Sequence, residues 1–425
     1  MLVGAARNRN AVSRVTGLAR STPGRLSLLA LLLIAATLLV GALTAVSVQR
    51  RSDALAALAD RSEPLAYAAQ EVYRSMADAD ASAAGAFLSG GVESPELRKR
   101  YELDVARASA ALSTATGEIA RSPALARSLS ELSGKFPVYT GLVETARTHN
   151  RQGNPVGAAY LREAAQLMRE ALLPSAQQLY QTATEGVIDD LEDAGRWPWL
   201  EFLLGAALIT ALVLAQRYLT RRTNRVFNVG LVAATAACLV SLLWAVIASA
   251  VVVGHASAGE HDDAMAKITA RARIATLAAR GEETLTLVAR GNGGNYEQRF
   301  KDGAEVLGIL LAGAETREPS PVFTSAKTHF EEWQRAHAKV RAADEGGDFA
   351  AAVGLVLGSG EAAVAFAALE GDLVQAMDRS RAELTDTVAR ARGVLSGAVP
   401  AVVLLALVAA VASTAGLWQR LKEYR

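Results

Sequence analysis

Two apolar runs lie back to back in the middle of this 425-residue chain, Leu200–Ala215 and Val226–Val253, with only Arg217-Tyr218-Leu219-Thr220-Arg221-Arg222-Thr223-Asn224-Arg225 between them. With its flanking residues, each run is long enough to cross a hydrocarbon core of ~30 Å as a helix. The connector carries four arginines and no acid, the mark of a cytoplasmic turn. Lipid offers no partner to a backbone N–H or C=O, so a hairpin of this kind must be helical. On either side of it stands a long polar segment, closed at its far end by another apolar run.

The flanks fix an expected topology. Residues 1–25 hold Arg7, Arg9, Arg14, Arg20 and Arg25 and no acid, and Leu26–Val48 follows as an apolar run longer than the h-region of a cleaved signal peptide. It reads as an uncleaved anchor with the N-terminus inside. The expected order is a basic cytoplasmic tail 1–25, spans at 26–48, 197–216, 226–253 and 393–418, outer segments at 49–196 and 254–392, the connector 217–225, and a cytoplasmic tail 419–425. Trp197, Trp199, Tyr218 and Trp418 fall at the expected interfaces. The protein is expected in the plasma membrane as a multi-pass chain with both termini inside.

Composition sets the class. Basic and acidic residues balance at 44 against 43, so no global field points to nucleic acid. The polar segments are rich in Ala, Leu, Arg and Glu, all strong helix formers, and only 5% of the chain is aromatic. The expected fold is an all-α membrane protein with four transmembrane helices and two extracytoplasmic four-helix bundles, a tandem span–bundle–span repeat. The single Cys238 lies in an apolar run, which excludes a disulfide within one chain and marks a packing residue.

The first outer segment shows a heptad seam. Leu55, Leu58, Ser62, Leu65, Ala69, Val72, Met76, Ala79, Ala83 and Ala86 follow 3,4 spacing, and Pro64 inside it calls for a kink or a fresh start capped by Ser62 or Glu63. Breaks at Ser89-Gly90-Gly91, Ser122-Pro123 and Gly153-Asn154-Pro155 divide the segment into four helices, the last bending at Pro174. The second segment breaks at Gly291-Asn292-Gly293-Gly294, Pro319-Ser320-Pro321 and Gly346-Gly347. Its closing seam, Phe366 through Leu395, is expected to run straight into the last span. Residues repeat as well: Phe136-Pro137-Val138-Tyr139 precedes Gly153-Asn154 by the same interval that separates Phe330-Glu331-Glu332-Trp333 from Gly347-Asp348, and Arg100-Tyr101 pairs with Arg299-Phe300.

Chemistry is sparse. There is no phosphate loop, kinase signature, nucleophile elbow or His/Cys metal spacing, and no cofactor is implied. His329, Trp333 and His337 share one helical face, which reads as a partly exposed amphipathic face because His residues eight apart chelate one metal poorly. Glu260-His261-Asp262-Asp263 reads as a solvated helix start. Arg51, Arg61 and Arg74 on the first helix and Arg162 and Arg169 on the fourth are candidates to clamp a carboxylate between helices. Arg217, Arg221, Arg222 and Arg225 of the connector are candidates for a cytosolic partner, besides fixing topology and touching anionic lipid. Away from their ends the spans carry no ionisable residue, poor equipment for an ion path. They are striped with small residues, such as Ala237, Ser241, Ala245 and Ser249, that allow close helix approach.

Each outer segment resembles the four-helix ligand-binding domain of bacterial chemoreceptors and histidine kinases. The whole plan, with Gly141-Leu142-Val143-Glu144-Thr145-Ala146-Arg147 and Arg151-Gln152-Gly153-Asn154-Pro155-Val156-Gly157-Ala158-Ala159-Tyr160-Leu161-Arg162, resembles the actinobacterial GlnX-type membrane proteins. That resemblance implies a non-enzymatic signal transducer that passes the state of an extracytoplasmic solute-binding lipoprotein to a cytosolic Ser/Thr kinase. It carries no site residue over, and it is compatible with a homodimer. A structural or assembly subunit of a membrane or transport complex is the alternative.

Overall fold

The computed structural model describes residues 22–89, 95–117, 123–223 and 228–422, and among them every regular element is a helix. The chain divides into two compact units: residues 1–56, 191–257 and 388–425 in one, residues 57–190 and 258–387 in the other.

The first unit is built from α1 (Thr22–Ala57), α7 (Trp199–Thr223), the start of α8 (Val229–Val288) and α13 (Ala398–Lys422). Four helical stretches are long and apolar enough to cross a membrane. They bury Leu33, Leu208, Leu212, Leu231, Ala234 and Ala409 between them. Yet their outer faces are apolar too, with Leu32, Leu39, Leu203, Leu243, Leu404 and Val411 largely exposed. A bundle that is hydrophobic inside and out is stable only in lipid. This is a helical membrane protein.

The second unit contains both outer segments. The first supplies α2 (Glu63–Leu88), α3 (Pro95–Thr116), α4 (Pro123–Arg151), α5 (Val156–Leu167) and most of α6 (Leu173–Gly195). The heptad seam is its core: Ala69, Val72, Met76, Ala79 and Ala83 pack against Leu112, Leu129, Leu132, Tyr139, Leu161 and Met168. The second segment supplies the end of α8, then α9 (Gly294–Arg317), α10 (Pro321–Glu345), α11 (Phe349–Val356) and most of α12 (Glu361–Leu395) around Phe300, Leu307, Phe330, Trp333, Leu369 and Leu373. The two cores adjoin, since Leu277 and Val288 of α8 belong to the first. Helix α2 is therefore buried on more than one face, including Ser75, Asp80 and Ser82.

The repeat is visible in three dimensions. Gly153 and Gly347 both take positive φ (71° and 81°) after the third helix of their segment, the left-handed turn that glycine allows. Asn154 and Asp348 follow, each accepting from a backbone N–H of the next helix. In each segment a fully buried aromatic of the third helix donates to a buried carboxylate of the first, Tyr139 to Asp80 at 3.3 Å and Trp333 to Glu283 at 3.3 Å.

Local expectations fare unevenly. A new α-helix does begin at Glu63 with Pro64 in its first turn, but it follows directly on a π turn, Leu58–Ser62, and Ser62 makes no side-chain cap. Pro174 likewise follows a π turn, Met168–Leu172. A proline lacks the N–H and crowds the carbonyl four residues back, and a wider turn just before it relieves that crowding. The closing seam does not run unbroken into the last span: Ser396-Gly397 interrupts it, with Gly397 at φ 81°. The His329–His337 face is more buried than expected: His329 is partly exposed, but Trp333 is fully buried and His337 nearly so.

Candidate functional site

The five arginines expected to form one clamp are not brought together. Arg61 and Arg162 are exposed on the surface. Arg51 belongs to the span unit, where it is buried, donates to Ser249 Oγ at 2.6 Å and also reaches the Arg196 carbonyl. It ties together the chain at the ends of three spans. Near it in the same unit stands Glu201, which lines a recess among the spans with Arg51, Thr44 and Ser249. Sequence reading passed over Glu201 because it lies one residue inside the apolar run, though an ionisable residue there is itself the signal.

Arg74 and Arg169 do sit at the seam where the two outer segments meet. Arg74 of α2 pairs with Glu71 at 2.5 Å and with Asp78 at 3.3 Å. On α8, facing it across the same recess, Arg273 is buried and pairs with Glu370 of α12 at 3.3 Å. Burial, reinforced by Glu370 and Asp104, pushes Asp78 up to about 7, with Arg74 and Arg273 opposing. Arg169 lies 3.6 Å from Glu282 of α8, and Arg299 of α9 lies 3.1 Å from the same oxygen. Both guanidinium groups stand over the Tyr296 ring. Burial pushes Asp80 up to about 6 against the pull of Arg169 and the Tyr139 hydroxyl, with Glu282 adding to the rise. Arg169 Nη1, Glu282 Oε2 and Arg273 Nε are buried without a hydrogen-bond partner.

A second polar cluster is densely paired, although Arg341 Nε in it is buried without a hydrogen-bond partner among the described residues. Glu283, without exposed surface, accepts from Trp333 and stands 2.9 Å from His337 Nδ1 and beside Arg280. The other ring nitrogen of His337 faces Glu297 at 3.1 Å, and Arg341 closes on Glu297 at 3.3 Å. Burial alone would raise Glu283, but Arg280 and His337 outweigh it and hold its carboxyl below the usual range. Sequence reading missed Asp80, Arg273, Glu282 and Glu283 because each falls beside a seam rather than on it. Their burial comes from helices distant in sequence: Tyr139 stands beside Asp80, Trp333 and His337 beside Glu283, Glu370 beside Arg273, and Arg169 and Arg299 beside Glu282.

At the opposite ends of the spans, Asn228 caps α8 by accepting from Gly230 N–H and donates to the Gly416 carbonyl at 2.8 Å. A side chain at Gly230 would place Cβ 2.3 Å from the Ala412 carbonyl oxygen, so the third and fourth spans touch backbone to backbone there. Helix α7 extends to Thr223, taking in much of the expected connector, and Arg217 and Arg221 are exposed on it. The side chain of Arg222 and all of Arg225 lie outside the described residues. So do the tail 1–21 and the side chains of Glu260-His261-Asp262-Asp263.

These features define a helical membrane protein whose second unit carries a buried polar seam between two helical segments. Residues 54–192, the first outer segment and about a third of the chain, match the family model described as the actinobacterial sensor domain. No curated protein and no solved structure matches the chain.

Proposed function

We propose that the chain is a non-enzymatic signal transducer of the plasma membrane, with both termini cytoplasmic and the two homologous segments outside. The observation that carries this reading is the sensor-domain match over residues 54–192. Helix α8 supports it: one uninterrupted 60-residue helix contributes Leu231 and Ala237 to the span core and Leu277 and Val288 to the core of the matched segment. A shift of a rigid helix by a fraction of a turn is a recognised way to carry a state along its axis.

In this reading the outer unit senses a ligand, or the loaded form of a solute-binding lipoprotein as in the GlnX-type proteins. A cytosolic partner, a Ser/Thr kinase by the same resemblance, reads the inner ends at Arg217, Arg221, Arg222 and Arg225, beside anionic lipid. The test is cross-linking and capture of the full-length protein from its own cells, followed by mass spectrometry. A binding lipoprotein and a Ser/Thr kinase are expected. Arg221→Gln with Arg222→Gln should lower recovery of the cytosolic partner while insertion survives, because Arg217 and Arg225 still hold the loop inside. Full recovery by the doubly substituted protein would reduce the connector to a topological signal.

A further inference from the structure

A recess in the outer unit lies where the matched sensor segment meets α8. Gln70 and Tyr73 of α2, Tyr180 of α6, and Arg273, Ile274 and Leu277 of α8 line it. Its polar groups are out of balance. Gln70 Nε2 donates to the sulfur of Met377 at 3.3 Å, and Arg273 Nη1 points at the same sulfur at 4.0 Å. A thioether is a weak acceptor. Arg273 Nε is buried with no acceptor, and the residue as a whole is only 8% exposed. Nη2 of this guanidinium pairs with Glu370 at 3.3 Å. Leaving buried N–H donors on a sulfur or on nothing is costly, and an oxyanion would satisfy them.

We propose that this recess binds a small monocarboxylate. The donors call for an anion. The nearby carboxylates of Glu71, Asp78 and Glu370 tolerate one added negative charge better than two, which disfavours phosphate and sulfate. Arg74 is already paired with Glu71 and Asp78 and is not the anchor. Tyr73, Tyr180, Ile274 and Leu277 form a wall suited to a short apolar tail. Bound there, the carboxylate would touch both α2 and α8, and so both halves of the unit. This inference rests on the sensing reading and names the class of its ligand.

The test uses the full-length protein in detergent and follows its melting midpoint with sodium propionate, with propionamide as the uncharged isostere, and with sodium chloride at matched ionic strength. Propionate should raise the midpoint saturably, and the other two should not. Arg273→Gln should abolish the shift. Because that variant could lose stability for other reasons, Gln70→Glu is the second probe. It keeps the side-chain size, adds a negative charge beside the recess, and should weaken binding at least about tenfold with helicity unchanged. No effect of propionate beyond chloride, an equal effect of propionamide, or wild-type binding by Gln70→Glu would each overturn the proposal. Any of these would leave the partner-capture result untouched, whereas propionate binding without captured partners would instead count against the relay.

Discussion

Replacing Asp80 by Asn tests whether the buried seam between the segments stores electrostatic strain. Asp80 is 7% exposed, accepts from Tyr139 and is raised from the usual 3.8 to about 6, chiefly by burial. That rise corresponds to about 3 kcal/mol between the protonated and charged forms. The folded protein therefore holds a proton that the unfolded chain has released between about pH 4 and pH 6. The resulting stability is full below about pH 4 and is lost as pH rises through about 6. Asparagine keeps the oxygen that accepts from Tyr139 and removes the charge. The attraction of Arg169 is already contained in that net rise, so the gain at pH 8 should be about 3 kcal/mol, shrinking towards zero near pH 4. At about 2–4 °C per kcal/mol, the midpoint of the full-length protein in detergent should rise by about 6–12 °C at pH 8. The measurement is the difference between variant and wild type across the pH range, in which other titrating groups such as Asp78 cancel. A loss of stability of the same size at both ends of the range would refute the reasoning, for it would mean that the Asp80 charge is well paired rather than strained.

Other expectations follow from burial and close approach. Met76 has no exposed surface in the first core, so Met76→Asp should lower the midpoint by several degrees, about 4 kcal/mol lost; an unchanged melt would mean the seam is not packed. Gly416→Leu would place Cβ 2.4 Å from Asn228 Oδ1 and 3.0 Å from the Gly230 Cα, and should cost about 1–3 kcal/mol in melting experiments by forcing the third and fourth spans apart. In a Cys238→Ala background, Ser113→Cys and Ser359→Cys should react with an impermeant thiol reagent on intact cells, while Thr223→Cys should not; labelling at Thr223 alone would invert the topology.

Periodicity carried much of this fold. The seam from Leu65 to Ala83 could be read residue by residue, because a heptad of apolar side chains has one physical use, packing against partner helices. The helix breaks at Gly153-Asn154 and Gly347-Asp348 could be read for a similar reason, since a left-handed glycine and a capping side chain act within a few residues. The candidate site was far less visible. Arg74 and Arg169 could be named from sequence, but so could Arg61 and Arg162, which are exposed, and Arg51, which fastens spans instead. An arginine's role depends on which carboxylate or carbonyl stands within reach, and local spacing does not encode that.

By itself the sequence determined what hydrophobicity, charge and turn chemistry act on locally: four apolar helices, the tandem polar segments, their helix boundaries and the seam that each must bury. Only the tertiary structure decided that the two polar segments pack into one unit rather than two. Tertiary packing also buries Asp80, Arg273, Glu282 and Glu283, and it leaves the Arg273 guanidinium facing the Met377 sulfur. It also set a π turn, Leu58–Ser62, directly ahead of the helix start at Glu63-Pro64. The reason is common to all of these. Burial of a charge, its pKa and its partner arise from residues that are distant in sequence, for instance 104 positions apart for Arg273 and Met377, and no local rule reaches that far.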